Sequence, residues 1–225
     1  MIELDDVGYS YGGGELFSNI SLTLQPGSFH FLTGPSGSGK TTLLKLCYGA
    51  LHATSGQVRL FGRDLREMES DDLAIIRRRV GVVHQDCQFL DHLNVYDNIS
   101  LPLVVSNQEL LPHAANLKDL MNWVGLKSRA EAMPPELSGG ERQRAAVARA
   151  VIMSPDAILA DEPTGNVDWE MSQRLLRLLT ELNRMGKTIM VATHDLALIR
   201  AAKAHVQARV LRIANGKLHL AGADL

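Results

Sequence analysis

Unbroken apolar runs and turn signals divide this chain before any motif is considered. Residues 2–7, 20–24 and 29–33 read as three strands, separated by turns at Gly12-Gly13-Gly14 and Pro26-Gly27. They follow one another with no room for helices between them, which predicts an antiparallel β-region at the start of the chain. Residues 58–61 and 80–83 are further strands. From Gln85 to Pro155 the pattern turns mostly helical, broken by Pro102, Pro112, Pro134 and Pro135. Strand signals then resume. Residues 157–160 and 188–192 are continuous apolar runs, as strands covered on both faces of a parallel sheet are. Between them Met171, Leu175, Leu178, Leu179 and Leu182 recur at helical spacing, the stripe of a helix packed on that sheet. The whole reads as one α/β domain over residues 1–225, with an inserted helical lobe over 86–155.

Composition narrows the classes. The chain has 225 residues, with 21% charged side chains and a formal net charge of −2, so a dominant polyanion-binding role is not suggested. Two cysteines, Cys47 and Cys87, make no disulfide framework and suit a reducing compartment such as the cytosol. The opening Met1-Ile2-Glu3-Leu4-Asp5-Asp6 does not read as a signal peptide. No apolar run approaches the roughly eighteen residues of a spanning helix, so any membrane role is expected to come through a partner.

The candidate chemistry starts with Gly34-Pro35-Ser36-Gly37-Ser38-Gly39-Lys40-Thr41, set between strand 29–33 and a helix over 41–46. A glycine-rich turn there leaves successive backbone N–H groups free to point at phosphate oxygens, and the helix N-terminus adds partial positive charge. Lys40 can reach the β- and γ-phosphates, and the Thr41 hydroxyl can ligate Mg²⁺; this is the P-loop pattern. A second glycine-rich segment, Leu137-Ser138-Gly139-Gly140-Glu141, leads into a helix over 141–153 and forms another helix N-terminus ready for anionic oxygen.

Run 157–160 ends in Asp161-Glu162. An acid at a strand end beside a P-loop can hold Mg²⁺ through its water shell, and Glu162 is placed to polarise an attacking water. The alternative, a pair that only caps the next helix, carries less weight with a P-loop in the same chain. Gln85 follows strand 80–83 and can offer an amide oxygen to Mg²⁺ or water; alone it is a polar loop residue. His194 follows 188–193 and precedes Asp195, a helix N-cap type. Alone it is a turn residue, though an imidazole there could reach a γ-phosphate. Both gain meaning only as members of a set.

The P-loop, Gln85, the Leu137–Glu141 segment, residues 157–162 and His194 occur in the order of an ABC-type ATPase, and the resemblance spans nearly the whole chain. It implies the ABC ATPase fold: a P-loop NTPase core with a mainly parallel sheet, an N-terminal antiparallel β-region and an inserted helical lobe. It implies ATP, with Mg²⁺ near Thr41, Gln85 and (through water) Asp161. The phosphates would be held by Gly34, Pro35, Ser36, Gly37, Ser38, Gly39, Lys40, Thr41 and Thr42, with Tyr11 stacked on adenine. Glu162, His194 and Gln85 would be catalytic. It further implies a head-to-tail homodimer in which Ser138, Gly139, Gly140, Glu141 and Asp168 of one copy meet the ATP of the other.

Ala160-Asp161-Glu162-Pro163-Thr164-Gly165-Asn166 resembles the branch that includes lipoprotein-release, macrolide-export and cell-division ATPases. Phe31-Leu32-Thr33-Gly34, Leu43-Leu44-Lys45-Leu46 and Val95-Tyr96-Asp97-Asn98 look most like the FtsE group of cell-division ATP-binding proteins. Three departures stand out. His84 precedes Gln85 where an aromatic is usual, Asn94 replaces a usual Thr, and Gly165-Asn166-Val167-Asp168 differs from the commoner Ser-Ala-Leu-Asp.

The resemblance implies an FtsX-like integral membrane partner at the inner face of a bacterial plasma membrane, control of cell-wall hydrolysis and no direct nucleic acid. The alternatives are a lipoprotein-release or macrolide-type exporter subunit and a soluble ABC ATPase acting on DNA or ribosomes. A long coiled-coil insertion, a second P-loop and a basic excess are all missing for the last. Phe89, Leu90, Leu93, Val95 and Tyr96, mixed with Asp91, His92 and Asn94, are the expected docking surface. Arg77-Arg78-Arg79 is expected to close a helix. Arg142, Arg144 and Arg149 are expected on a solvated or inter-lobe face, and Cys47 in the core.

Overall fold

The computed structural model describes residues 1–221. Its strands fall into two sheets. The smaller is antiparallel and joins β1 (Ile2–Ser10), β2 (Glu15–Leu24), β4 (Ser55–Leu60) and β5 (Arg63–Asp64) in the order β2-β1-β4-β5. The larger joins β3 (Phe29–Thr33), β6 (Val80–Val83), β7 (Ala157–Asp161), β8 (Thr188–Ala192), β9 (Ala208–Ala214) and β10 (Lys217–Leu220) in the order β10-β9-β3-β8-β7-β6. Strands β9, β3, β8, β7 and β6 run parallel, and β10 is antiparallel to β9.

Two strand assignments differ from the sequence reading. β3 does not join the antiparallel region; it pairs in parallel with β8 and β9. All five of its residues are buried, the mark of a strand covered on both faces, and that outweighs its closeness in sequence to β2. The β9–β10 hairpin was not anticipated. Its turn is Asn215-Gly216, both at positive φ, which is the short-range hairpin signal the sequence did carry.

Among the described residues seven α-helices cover the sheets: α1 (Lys40–Cys47), α2 (Ser70–Arg77), α3 (Val95–Val105), α4 (Ala114–Trp123), α5 (Gly139–Val151), α6 (Trp169–Arg184) and α7 (Leu196–Lys203). Helices α3, α4 and α5 lie between β6 and β7 in sequence. α5 rests its backbone on β6. A Cβ at Gly81 would lie 2.2 Å from the Ala150 carbonyl oxygen, so only glycine permits that approach. α6 buries Leu175, Leu176, Leu178 and Leu179, is capped by Asp168 and ends before Gly186 at φ 89°.

Of the expected docking surface, Val95 belongs to the core at 1% exposed; Phe89, Leu93, Asn94 and Tyr96 are half-buried, and Leu90, Asp91 and His92 are exposed. The Asn98 side chain orders the loop before α3. It accepts from the Leu90 N–H at 2.9 Å and donates towards the Leu90, Leu93 and Asn94 carbonyls, pulling the loop onto the start of α3. Arg77 stands in the last turn of α2 and Arg78 caps it, so this arginine run closes a helix as expected. Arg77 also donates to the Gly49 carbonyl, while Arg79 pairs with Asp156 at 2.6 Å and lies over the Phe61 ring. Arg142, Arg144 and Arg149 are half-buried. Arg142 donates to the Pro134 carbonyl at 2.8 Å, and Arg149 lies 4.6 Å over the Phe89 ring. Cys47 is fully buried and burial pushes its thiol up to about 12, so it packs as a small hydrophobe.

Candidate functional site

Parallel strands deliver their C-terminal ends to one edge of the sheet, where ligands of open α/β folds bind. Pairings Val83↔Ala160, Asp161↔Ala192 and Leu32↔Ala192 bring the ends of β6, β7, β8 and β3 level. Gln85, Asp161, Glu162, His194 and Gly34 each lie at or just past one of those ends. The register therefore gathers residues spread over 160 positions of sequence. They share a cleft of about 760 Å³ with Tyr11, Pro35, Ser36, Gly37, Gly39, Lys40, Thr41 and Thr42.

The loop from Gly34 to Gly39 carries Gly34, Gly37 and Gly39 at positive φ. Gly39 caps α1 at φ 98°, and a Cβ there would lie 2.4 Å from the Phe17 ring. Lys40 folds its ammonium back onto the loop, donating to the Gly34 and Pro35 carbonyls at 3.0 and 3.2 Å. Ser38 does not line the cleft; its Oγ is buried without a partner. Tyr11 is exposed at the cleft mouth, with its hydroxyl 3.0 Å from Thr42 Oγ1 and its ring edge-on to Tyr9.

Thr41 donates its hydroxyl to Asp161 Oδ2 at 2.5 Å. Asp161 is 4% exposed, and its other oxygen, Oδ1, is buried with no partner. Burial holds this carboxyl above the usual range, against the Thr41 hydrogen bond and the Lys40 charge. An orphaned carboxylate oxygen beside a hydroxyl, with the Gln85 amide lining the same cleft, is a hard oxygen donor set. It fits a divalent cation of the Mg²⁺ type.

Glu162 sits at φ 47°, a left-handed conformation that costs a non-glycine residue about 1–3 kcal/mol. Three hydrogen bonds hold it. Its N–H donates to the Ala192 carbonyl at 2.8 Å, and its own carbonyl accepts from Gly165 N and Gln143 Nε2, both at 3.1 Å. The side chain then meets His194, with Nδ1 2.9 Å from Oε1. The imidazole itself is 77% exposed.

The Leu137–Glu141 segment lines no part of this cleft. Ser138 caps α5, one residue pair earlier than the helix start read from sequence. Its N–H and hydroxyl both donate to Glu141 Oε2 at 2.9 Å, and the Glu141 N–H returns to Ser138 Oγ at 3.2 Å, a reciprocal capping box. Arg129 then binds Glu141 Oε1 at 2.8 Å and, with the Ser138 N–H, holds the Glu141 carboxyl down at about 2. Glu141 is thus committed to the cap. Gly139 and Gly140 pack against Asn166, and Asp168 accepts from the Met171 N–H at 2.8 Å.

Comparison with known proteins agrees with this geometry. The ABC transporter family pattern matches residues 17–165. The chain belongs to the ABC transporter ATPases. It is 38% identical to the cell division ATP-binding protein FtsE of Escherichia coli (strain K12) over 97% of each chain. It is 36% identical to FtsE of Bacillus subtilis (strain 168), covering 92% of this chain and 91% of that one. The ATP-binding cassette MJ0796, solved as a dimer in a post-hydrolysis state bound to ADP and Pi, superimposes with a TM-score of 0.87, 30% identity and 98% coverage of both chains.

Within this ABC cassette, two contributors were not singled out in the sequence. Leu16 lines the cleft, beside Gly165 and Asn166 of the quoted motifs, and Gln143 reaches the Glu162 backbone from α5. Gln143 had a signal. It shares the helical face of Ala146, Val147 and Val151, where a polar residue has to be explained.

Proposed function

We propose that this chain is the ATP-hydrolysing subunit of a bacterial cell-division complex, working beneath an FtsX-like integral membrane protein. The observation that carries the reading is the full-length likeness to FtsE proteins combined with an intact ATPase cleft. Two copies close head to tail around two ATP molecules. In each cleft Lys40 and the Gly34–Gly39 backbone bind the phosphates, and Tyr11 stacks on adenine. The Ser138–Gly140 turn and Asp168 of the second copy complete the site, which accounts for their absence from the first copy's cleft. Thr41, Gln85 and Asp161 hold Mg²⁺, which when bound offsets phosphate charge. Glu162 polarises the attacking water, and His194 fixes the Glu162 carboxylate and reaches the γ-phosphate.

No helix among the described residues is long and apolar enough to cross a membrane, so work leaves through a docking face. A groove of about 480 Å³ beside α2 and the end of α3 is lined by Arg77, Arg78, Val105, Arg149 and Met153. His84 lines that groove while its neighbour Gln85 lines the ATP cleft. Docking and nucleotide state are therefore coupled through two consecutive residues, and the peripheral membrane location follows from the partner. ATP-driven closure is passed across the membrane to regulate cell-wall hydrolysis.

Depletion in the native bacterium tests this directly. Filamentous or misdividing cells are expected. Normal division, with lipoproteins stranded in the inner membrane, would assign the chain to lipoprotein release instead.

A further inference from the structure

Gln143 alone is polar among the buried residues of α5, and it is 1% exposed. Its amide is used at both ends. Nε2 donates to the Glu162 carbonyl at 3.1 Å, and Oε1 lies 3.5 Å from the Cys87 sulfur. The orientation is forced by chemistry. A carbonyl can only accept, so the NH₂ group faces Glu162; that turns the amide oxygen to a thiol, which donates. The other acceptors near the thiol, the His84 and Gln85 carbonyls, are farther at 3.8 and 4.0 Å. The chain thiol–amide–carbonyl thus joins three parts of the molecule: the segment carrying Gln85, the helix that starts at Ser138, and the end of β7.

We propose that Gln143 is a positioning residue for Glu162, with the Cys87 thiol setting its amide. It holds the left-handed Glu162 peptide, so that the carboxylate takes its working orientation only when α5 and the Gln85 segment are both seated on the sheet edge. Any shift of α5 against the sheet breaks the Gln143–Glu162 bond and releases the base. A separated helical lobe then binds ATP without turning it over. This inference rests on Glu162 being the group that acts on water.

Steady-state ATPase assays on the whole chain test it, using Gln143→Met, Cys87→Ala, Cys87→Ser and the double variant Gln143→Met/Cys87→Ala. Gln143→Met keeps the volume and removes donor and acceptor. Its kcat should fall roughly tenfold or more, with KM for ATP within about twofold of wild type. Cys87→Ala should lower kcat by about threefold, Cys87→Ser should restore it, and the double variant should be no slower than Gln143→Met alone.

A wild-type kcat in Gln143→Met, or a KM that rises in step with the lost turnover, overturns the proposal. So does equal activity of the two Cys87 variants, which also decides the matter if Gln143→Met does not fold. A wild-type chain without ATPase activity would overturn the reading of the whole site; an active wild type with an unaltered Gln143→Met overturns this inference alone.

Discussion

Lys40 and His194 face one cleft and should fail differently. On the proposed reading the Lys40 charge meets the phosphates in the ground state, so Lys40→Ala should weaken ATP binding by about tenfold or more. His194 lies 2.9 Å from the Glu162 carboxylate and, on the proposed reading, matters in the transfer step. His194→Ala should bind ATP within about twofold of wild type and lose most of its turnover. Fluorescent-nucleotide titration beside a phosphate-release assay separates the two, and wild-type turnover in His194→Ala would remove that residue from the mechanism.

Elsewhere, His30 lies 2% exposed in β3 with Nδ1 unpartnered; burial, then the Arg209 charge, push it down to about 4. The folded chain keeps it neutral while the unfolded chain takes up a proton near pH 6.5. Stability is therefore full above pH 6.5 and declines as pH falls towards 4, by at most about 1.4 kcal/mol per unit crossed. Urea unfolding should show His30→Leu losing less than wild type over that window; parallel losses would contradict the assignment.

At the scale of elements, α5 depends on its start. Ser138→Ala removes a side-chain cap and should cost about 1 kcal/mol in urea unfolding of the monomer. A stability within error of wild type would mean that the capping box contributes nothing. The elements also show what the sequence made legible. Gly34, Gln85, Asp161, Glu162 and His194 were readable because each falls at or just past a strand end, and parallel register brings those ends to one cleft. β3 was misassigned because spacing to its neighbour was weighed above its two-sided burial. Val95 differs from expectation because it packs with Ile99 and Leu103 in the core and donates its N–H to the Ala132 carbonyl, tertiary contacts with no signature in so short a segment. Gln143 escaped notice because its partners, Cys87 and Glu162, are distant in sequence and meet only once α5 packs on β6.

On the scale of the whole molecule, the proposed dimer gives each chain half of a working site. The cleft contains the Gly34–Thr41 loop and both acids, while the Ser138 turn lines no part of it. Force transfer should be separable from chemistry. Arg78→Glu, an exposed change at the groove, should reduce co-purification with the proposed membrane partner and leave basal ATPase activity unchanged; equal recovery of that partner would move the docking face elsewhere. The composite site itself is tested by light scattering of Glu162→Gln with saturating ATP and Mg²⁺. If Glu162 is the base, that variant should bind nucleotide and scarcely hydrolyse it, so the account predicts a species of twice the 24.6 kDa chain mass, reverting to monomer when ATP is removed. A particle that stays monomeric with ATP bound would contradict it.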